Sequence, residues 1–118
     1  AGRMGVPQYG SYCATKWGII GLTQMLAVET APHQITVNAV APGGLDDDFN
    51  APLFAMMPAK DYIKANTAVG RVGVPRDIGG VIAFLCSPQA SYINGQVLAV
   101  DGGFDAAGVG LPTLRRPT

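Results

Sequence analysis

The succession of elements readable in this chain predicts the α/β class, with a parallel sheet covered on both faces. Three observations carry that prediction. Helical and strand patterns alternate along 118 residues, a length that suits one domain. Two runs rich in β-branched residues lack strict apolar–polar alternation, as strands buried on both faces do. One long helix is apolar around most of its circumference, the pattern of a helix buried on two sides.

Residues 1–10 are rich in Gly and Pro and read as a loop. Ser11 is a candidate cap for a helix from Tyr12 to Thr30, which stops ahead of Pro32. Only Lys16 and Glu29 are charged in that helix, while Trp17, Ile19, Ile20, Leu22, Met25, Leu26 and Val28 spread around it. Ile35 to Ala41 reads as a strand, ended by Pro42-Gly43-Gly44. Leu45 to about Val74 reads as a long irregular segment with one or two short helices. A connection of that length is usually a lid or binding loop. Pro75 suits a helix first turn, with Asp77 near the positive end of the dipole. Ile78, Val81, Ile82 and Leu85 then recur at helical spacing up to Ser87-Pro88. Asn94-Gly95 predicts a turn, Gln96 to Asp101 a second strand, and residues 106–118 a loosely ordered tail. Two strands alone make a poor sheet, and the first would present a bare apolar edge.

Composition excludes several classes. The chain is 48% hydrophobic, 14% charged and of formal net charge +0, with no basic stripe to track phosphates, so nucleic acid is not an expected partner. A chain so short of charge needs extra buried area, from a partner or from further sequence. No apolar run approaches the ~20 residues that span a bilayer, so no membrane is expected. Cys13 and Cys86 sit in apolar helical contexts and read as reduced core thiols of a cytoplasmic protein. Neither has neighbours at metal-ligand spacing, and no metal site is expected. Asp46-Asp47-Asp48 reads as a solvated turn, His33 as a surface residue, Asn38 as a backbone-bonding residue, and Tyr9 and Tyr92 as packing residues. The chain begins without Met and reads as one cut into mid-sequence.

The chemistry centres on Tyr12 and Lys16, one helical turn apart and therefore on one face. A cation within about 4–6 Å favours a phenolate, so such a tyrosine can exchange a proton with an alcohol or carbonyl oxygen. By spacing alone such a pair is usually a solvated surface pair. The surroundings separate the two readings, because Lys16 is the only basic residue of an otherwise apolar helix, and a buried ammonium needs a partner.

Those surroundings also carry a resemblance. Tyr12-Cys-Ala-Thr-Lys16 with Gly18 and Gly21-Leu22-Thr23 resembles the Tyr-x-x-x-Lys helix of the short-chain dehydrogenase/reductase family. Val37-Asn38-Ala39-Val40-Ala41-Pro42-Gly43 is similar to that family's sixth strand and following turn. Gly70-Arg71-Val72-Gly73-Val74-Pro75 with Asp77-Ile78 resembles the lead-in to its last long helix. Ser91 to Gln96 with Val100-Asp101-Gly102-Gly103 resembles its final strand and C-terminal signature.

The resemblance covers about Gly2 to Phe104 and implies the C-terminal part of a Rossmann-like, doubly wound parallel sheet, ordered helix–strand–lid–helix–strand. It implies a domain over residues 1–105, with the dinucleotide-binding half outside this sequence. It implies an NAD(P)-dependent oxidoreductase acting on a secondary alcohol or ketone, with NAD or NADP as cofactor. Tyr12 would be the general acid/base, and Lys16 would hold the nicotinamide ribose. Pro42, Gly43 and Leu45 would lie beside the nicotinamide, with Asp47 where the family has a cofactor-binding Thr. Leu45 to about Val69 would form the substrate lid, with Phe49, Phe54, Met56 and Met57 as apolar contacts. The Tyr12–Thr30 helix and the last helix and strand would build a homodimer or homotetramer. The glycine-rich phosphate loop and the catalytic Ser have no counterpart in this sequence. The alternative is therefore a catalytically incomplete chain that serves as an assembly element.

Overall fold

A computed structural model describes residues 6–56 and 58–107. They fall in two compact units, 6–41 with 82–98 and 42–81 with 99–107. The elements follow the order helix, strand, two short helices, helix, strand, short helix.

In the first unit, α1 spans Gly10–Thr30. It begins ahead of the expected Tyr12, and Ser11 does not cap it. Ser11 lies inside the first turn, where its carbonyl accepts the Thr15 hydroxyl at 2.9 Å. One face, Cys13, Lys16, Ile20, Thr23, Ala27 and Thr30, turns inward with alternating spacings of three and four. The expected burial on two sides is not met within the chain. Trp17 is 52% exposed, Leu22 51% and Val28 75%. Helix α1 has one packed face, and its other apolar side chains meet solvent. A 3-10 turn, Ala31–His33, follows, with His33 on the surface.

The strands are shorter than the β-branched runs suggested. Strand β1 covers Ala39–Pro42 and β2 covers Val97–Val100. They form a two-stranded sheet. Its register is parallel: the Ala39 N–H donates to Gln96 O at 2.8 Å, and the Gly43 N–H donates to Val100 O at 3.1 Å. Ahead of β1, two asparagines replace the ladder. Val37 N–H donates to Asn94 Oδ1, Asn38 Nδ2 donates to Ile93 O, and Gln96 N–H donates to Asn38 Oδ1. Side-chain amides thus occupy backbone groups that would otherwise extend the strands. Asn38 bonds backbone as expected. The Asn94-Gly95 turn is present, with Gly95 at φ 70°.

In the second unit, the segment between Leu45 and Val74, expected to hold one or two short helices, holds two, α2 (Ala51–Met56) and α3 (Ala59–Asn66). The ends of that segment are joined: Asp46 N–H donates to Gly73 O at 2.8 Å and Gly73 N–H to Gly44 O at 3.0 Å. Helix α4 (Pro75–Leu85) begins in this unit, and α5 (Phe104–Ala107) follows β2. Asp101 organises the turn into α5. Its Oδ1 accepts the Gly103 N–H at 2.9 Å and its Oδ2 the Asp105 N–H at 3.0 Å. Gly102 sits at φ 62°, where a Cβ would come within 2.6 Å of the Thr67 and Val69 methyls.

Large side chains contribute little to the interior. The buried apolar residues among those described are Ala27, Ile78 and Ala90. Two further expectations are corrected. Cys86 is exposed and Cys13 half-buried, so neither is a core thiol, although both are free. Tyr92 is fully exposed and packs on nothing, because it follows the 3-10 turn Pro88–Ala90 at the surface. The tail expected over 106–118 begins inside α5, which holds Ala106 and Ala107; its residues from 108 onward, like Met57, lie outside the described residues.

Candidate functional site

Tyr12 and Lys16 occupy the first two turns of α1. The helix period brings them together, with Lys16 Nζ 5.3 Å from the centre of the Tyr12 ring. Tyr12 is 51% exposed and Lys16 half-buried, so the phenol meets solvent while the lysine stem packs inward. Tyr9 stands edge-on to Tyr12, with ring centres 6.1 Å apart and planes at 79°. It fixes one side of the phenol and is itself half-exposed.

The residues expected beside a nicotinamide lie in the second unit, at the carboxyl end of β1. Pro42 is exposed and ends the strand. Gly43 is pressed against the neighbouring strand, and a Cβ there would lie 2.8 Å from the Asp101 Cα. Only glycine lets the two backbones approach so closely. Leu45 bridges to Gly73 in parallel register. A cleft of about 200 Å³ opens here, lined among others by Gly43, Leu45, Thr67, Val100 and Asp101. Asp47 turns to the chain itself, its Oδ1 accepting both the Asn50 N–H and Asn50 Nδ2 at 2.8 Å. Those bonds cap the approach to α2.

Two site-forming interactions were not legible beforehand. Arg71 grips Asp77 with two hydrogen bonds, of 2.7 and 2.8 Å, and Asp77 Oδ2 also accepts the Val74 N–H at 2.8 Å. Asp77 is the third residue of α4, so the bond back to Val74 is half of a capping box. The Arg71 hydrogen bonds first, then the Val74 N–H, hold the Asp77 carboxyl well below the usual carboxylate range. Arg71 is raised by the same partner. The signal in the sequence was Pro75 at the first helical position with Asp77 two residues on. Lys60 is the second. It pairs with Asp46 at 2.7 Å and stands 5.6 Å from the centre of the Phe54 ring. Of the expected lid contacts, Phe54 is half-buried and Phe49 is 90% exposed.

Among the described residues no group of three or more His, Cys, Asp or Glu side chains could hold a metal ion. No helix among them is long and apolar enough to cross a membrane.

Paired strands in parallel register, helices between them and a Tyr–Lys pair one turn apart define a class of α/β chains, and comparison with known proteins gives the family. A family model described as "Enoyl-(Acyl carrier protein) reductase" matches residues 1–105. A 3-oxoacyl-(acyl-carrier-protein) reductase of Rickettsia bellii is 46% identical over 102 residues, which are 86% of this chain and 42% of the relative. The structure of a 4-hydroxyisoleucine dehydrogenase complexed with NADH superposes with a TM-score of 0.83 at 34% identity, over 89% of this chain and 43% of that one. An Agrobacterium tumefaciens structure with bound NADP superposes with a TM-score of 0.77 at 42% identity, over 81% of this chain and 39% of that one. The chain belongs to the short-chain dehydrogenase/reductase family. It spans less than half the length of the curated relatives it matches.

Proposed function

We propose that this chain is the C-terminal part of an NAD(P)-dependent oxidoreductase that interconverts a secondary alcohol and a ketone. The observation that carries this reading is the Tyr12–Lys16 pair, held within 5.3 Å on the exposed start of α1 in a chain of this family. The donor set fits the nicotinamide-ribose end of the cofactor. A phenol hydroxyl and an ammonium share one helix face, and ribose hydroxyls need such donors. Gly43 leaves the end of β1 narrow, and ligands of open α/β sheets bind beyond the carboxyl ends of strands. When bound, the nicotinamide would accept or return a hydride. Tyr12 would take the alcohol proton as the ketone forms, and return it in reduction. Lys16 would hold the ribose and keep a positive charge beside the phenol oxygen. Pro42, Gly43 and Leu45 would shape the nicotinamide face. Asp47 stands in the same set, but a carboxylate repels a diphosphate, and Asn50 draws its Oδ1 into the turn. The 45–69 segment would cover the substrate.

A second reading, an assembly element without catalysis of its own, is favoured by the exposed Trp17, Leu22 and Val28 of α1. Both readings expect association through α1, and through α4 with β2, into a homodimer or homotetramer. Burial of an apolar patch offsets the cost of exposing it. Calorimetric titration of the chain with NADH and NADPH separates the readings. Saturable micromolar binding supports a self-sufficient cofactor site. No binding of either cofactor leaves assembly as the role of this chain alone. Sedimentation as a compact monomer would overturn the association.

A further inference from the structure

Three side chains at the start of α1 form one row. Tyr9, Tyr12 and Lys16 follow at helical spacings of three and four, so they share a face. The Tyr12 ring has a neighbour from each direction along the row. Tyr9 meets it edge-on, with ring centres 6.1 Å apart, and the Lys16 ammonium stands 5.3 Å from its centre. Tyr12 needs such neighbours to hold one orientation. It is 51% exposed, and an exposed aromatic side chain on a helix has two open χ1 wells. Contacts with Tyr9 and Lys16 together select one of them.

Tyr9 is itself exposed and lies just ahead of the helix, so its own placement needs a cause. A turn supplies it. The Tyr9 N–H donates to Val6 O at 3.2 Å, closing four residues with Pro7 and Gln8 at the centre. Pro7 fixes a negative φ at the first central position, and Gln8 stands at φ 69° at the second. That combination defines a type II turn, whose second central position favours glycine. Glutamine there is strained. Val6, Pro7 and Gln8 are all exposed, so burial does not hold the strained backbone in place. The proline ring and the turn hydrogen bond hold it on one side. On the other, the Cys13 N–H donates to Tyr9 O at 2.8 Å and ties the turn to the helix.

We infer that Tyr9 is a positioning residue for Tyr12, delivered by the 6–9 turn, and that it keeps the phenol against Lys16. The ring arrangement stands on these distances. Only its bearing on turnover rests on the proposed function. An edge-to-face ring pair shifts an equilibrium by about two- to ten-fold, so removing the Tyr9 ring should change the Tyr12 rotamer ratio by that factor. The turn should matter as much as the ring it carries. A β-branched residue is the least suited to positive φ, so Gln8→Val should open the turn and release Tyr9 with both rings intact.

Nuclear magnetic resonance of the intact chain with labelled tyrosine, free of cofactor, tests this through the cross-peak between the Tyr12 ring and the Lys16 side chain. Tyr9→Ala and Gln8→Val should each weaken it by about two-fold or more. Tyr9→Phe keeps the ring and should keep the cross-peak, and so should Gln8→Gly, which suits the turn. Gly10→Ala, where a Cβ meets nothing within 4 Å, is the control and should change nothing. An unchanged cross-peak in Tyr9→Ala overturns the role of Tyr9. A change in Tyr9→Ala without one in Gln8→Val overturns the role of the turn. In the protein carrying this chain, Tyr9→Ala and Gln8→Val should lower kcat by about two- to ten-fold with KM unchanged. A raised KM at unchanged kcat would make Tyr9 a substrate contact and overturn positioning. Failure of the proposed reaction would leave the cross-peaks as measured, so the two failures are distinguishable.

Discussion

Helix α1 and the turn after β2 solve opposite problems. Helix α1 carries the pair on which the chemistry is proposed to rest, yet much of its apolar surface meets solvent. The 101–105 turn carries none of the proposed reacting groups, yet nearly everything about it is internally satisfied. Asp101 closes it with two hydrogen bonds, and Gly102 receives Val69 in a space no side chain could share. Reactive groups can therefore sit on a helix that lacks full cover, provided the backbone beside the strands is fixed by short, local, saturated contacts. Rate and stability should then respond to different residues.

The sharpest way to break that separation is Tyr12→Phe. In the protein carrying this chain, it should lower turnover of an alcohol or ketone by about 10²–10⁴-fold, the usual contribution of a positioned acid or base. Its unfolding temperature should be unchanged, since the lost hydroxyl belongs to a half-exposed ring. Steady-state rates together with calorimetry read both quantities, and an equal loss of stability would show that Tyr12 acts through the fold. Gly102→Ala should do the reverse. A methyl forced into positive φ and against two β-branched side chains should cost about 1–3 kcal/mol in denaturant unfolding. Cofactor affinity, where it is measurable, should fall only as far as the fold does.

The smallest effect is one of pH. Asp77 is depressed in the folded chain by Arg71 and the Val74 N–H. Its contribution to stability is complete above the ordinary carboxylate value of about 4, and is lost as the pH falls through the depressed value. The unfolding midpoint should therefore fall on acidification below pH ~4, and fall less in Asp77→Asn. Identical acid profiles for the two chains would mean that the Arg71–Asp77 pair is structural ornament.

Legibility followed the range of each interaction. Pro75 with Asp77, the Asn94-Gly95 turn and the helical spacing from Ile78 to Leu85 are local signals, and the structure keeps all three. The β-branched run from Ile35 to Ala41 misled. Four of its seven residues lie outside β1, and Val37 and Asn38 pair with groups 55 to 58 residues away. No window around Ile35 contains that information. At the candidate site, Tyr12 and Lys16 were legible because one helical turn separates them. The engagement of Asp47 by Asn50 was within reach as a short-range turn. The Lys60–Asp46 pair was not, because its two residues lie on different elements joined through α2.

Asn94-Gly95 has a further consequence, chemical rather than mechanical. An asparagine followed by glycine is a natural site of spontaneous ageing, in which the next backbone nitrogen attacks the side-chain amide and expels ammonia. Here every participant is occupied. Asn94 Oδ1 holds the Val37 N–H at 2.9 Å, its Nδ2 donates to Ala27 O at 2.9 Å, and the attacking nitrogen of Gly95 donates to Val37 O at 2.8 Å. The fold thus shelters its own most perishable bond. Deamidation in the unfolded chain would leave an oxygen where Ala27 O needs a donor, so a molecule damaged before folding would carry the lesion into the packed face of α1. Mass spectra of folded and denatured samples aged side by side should show the one-dalton gain at Asn94 accumulating far faster in the denatured chain.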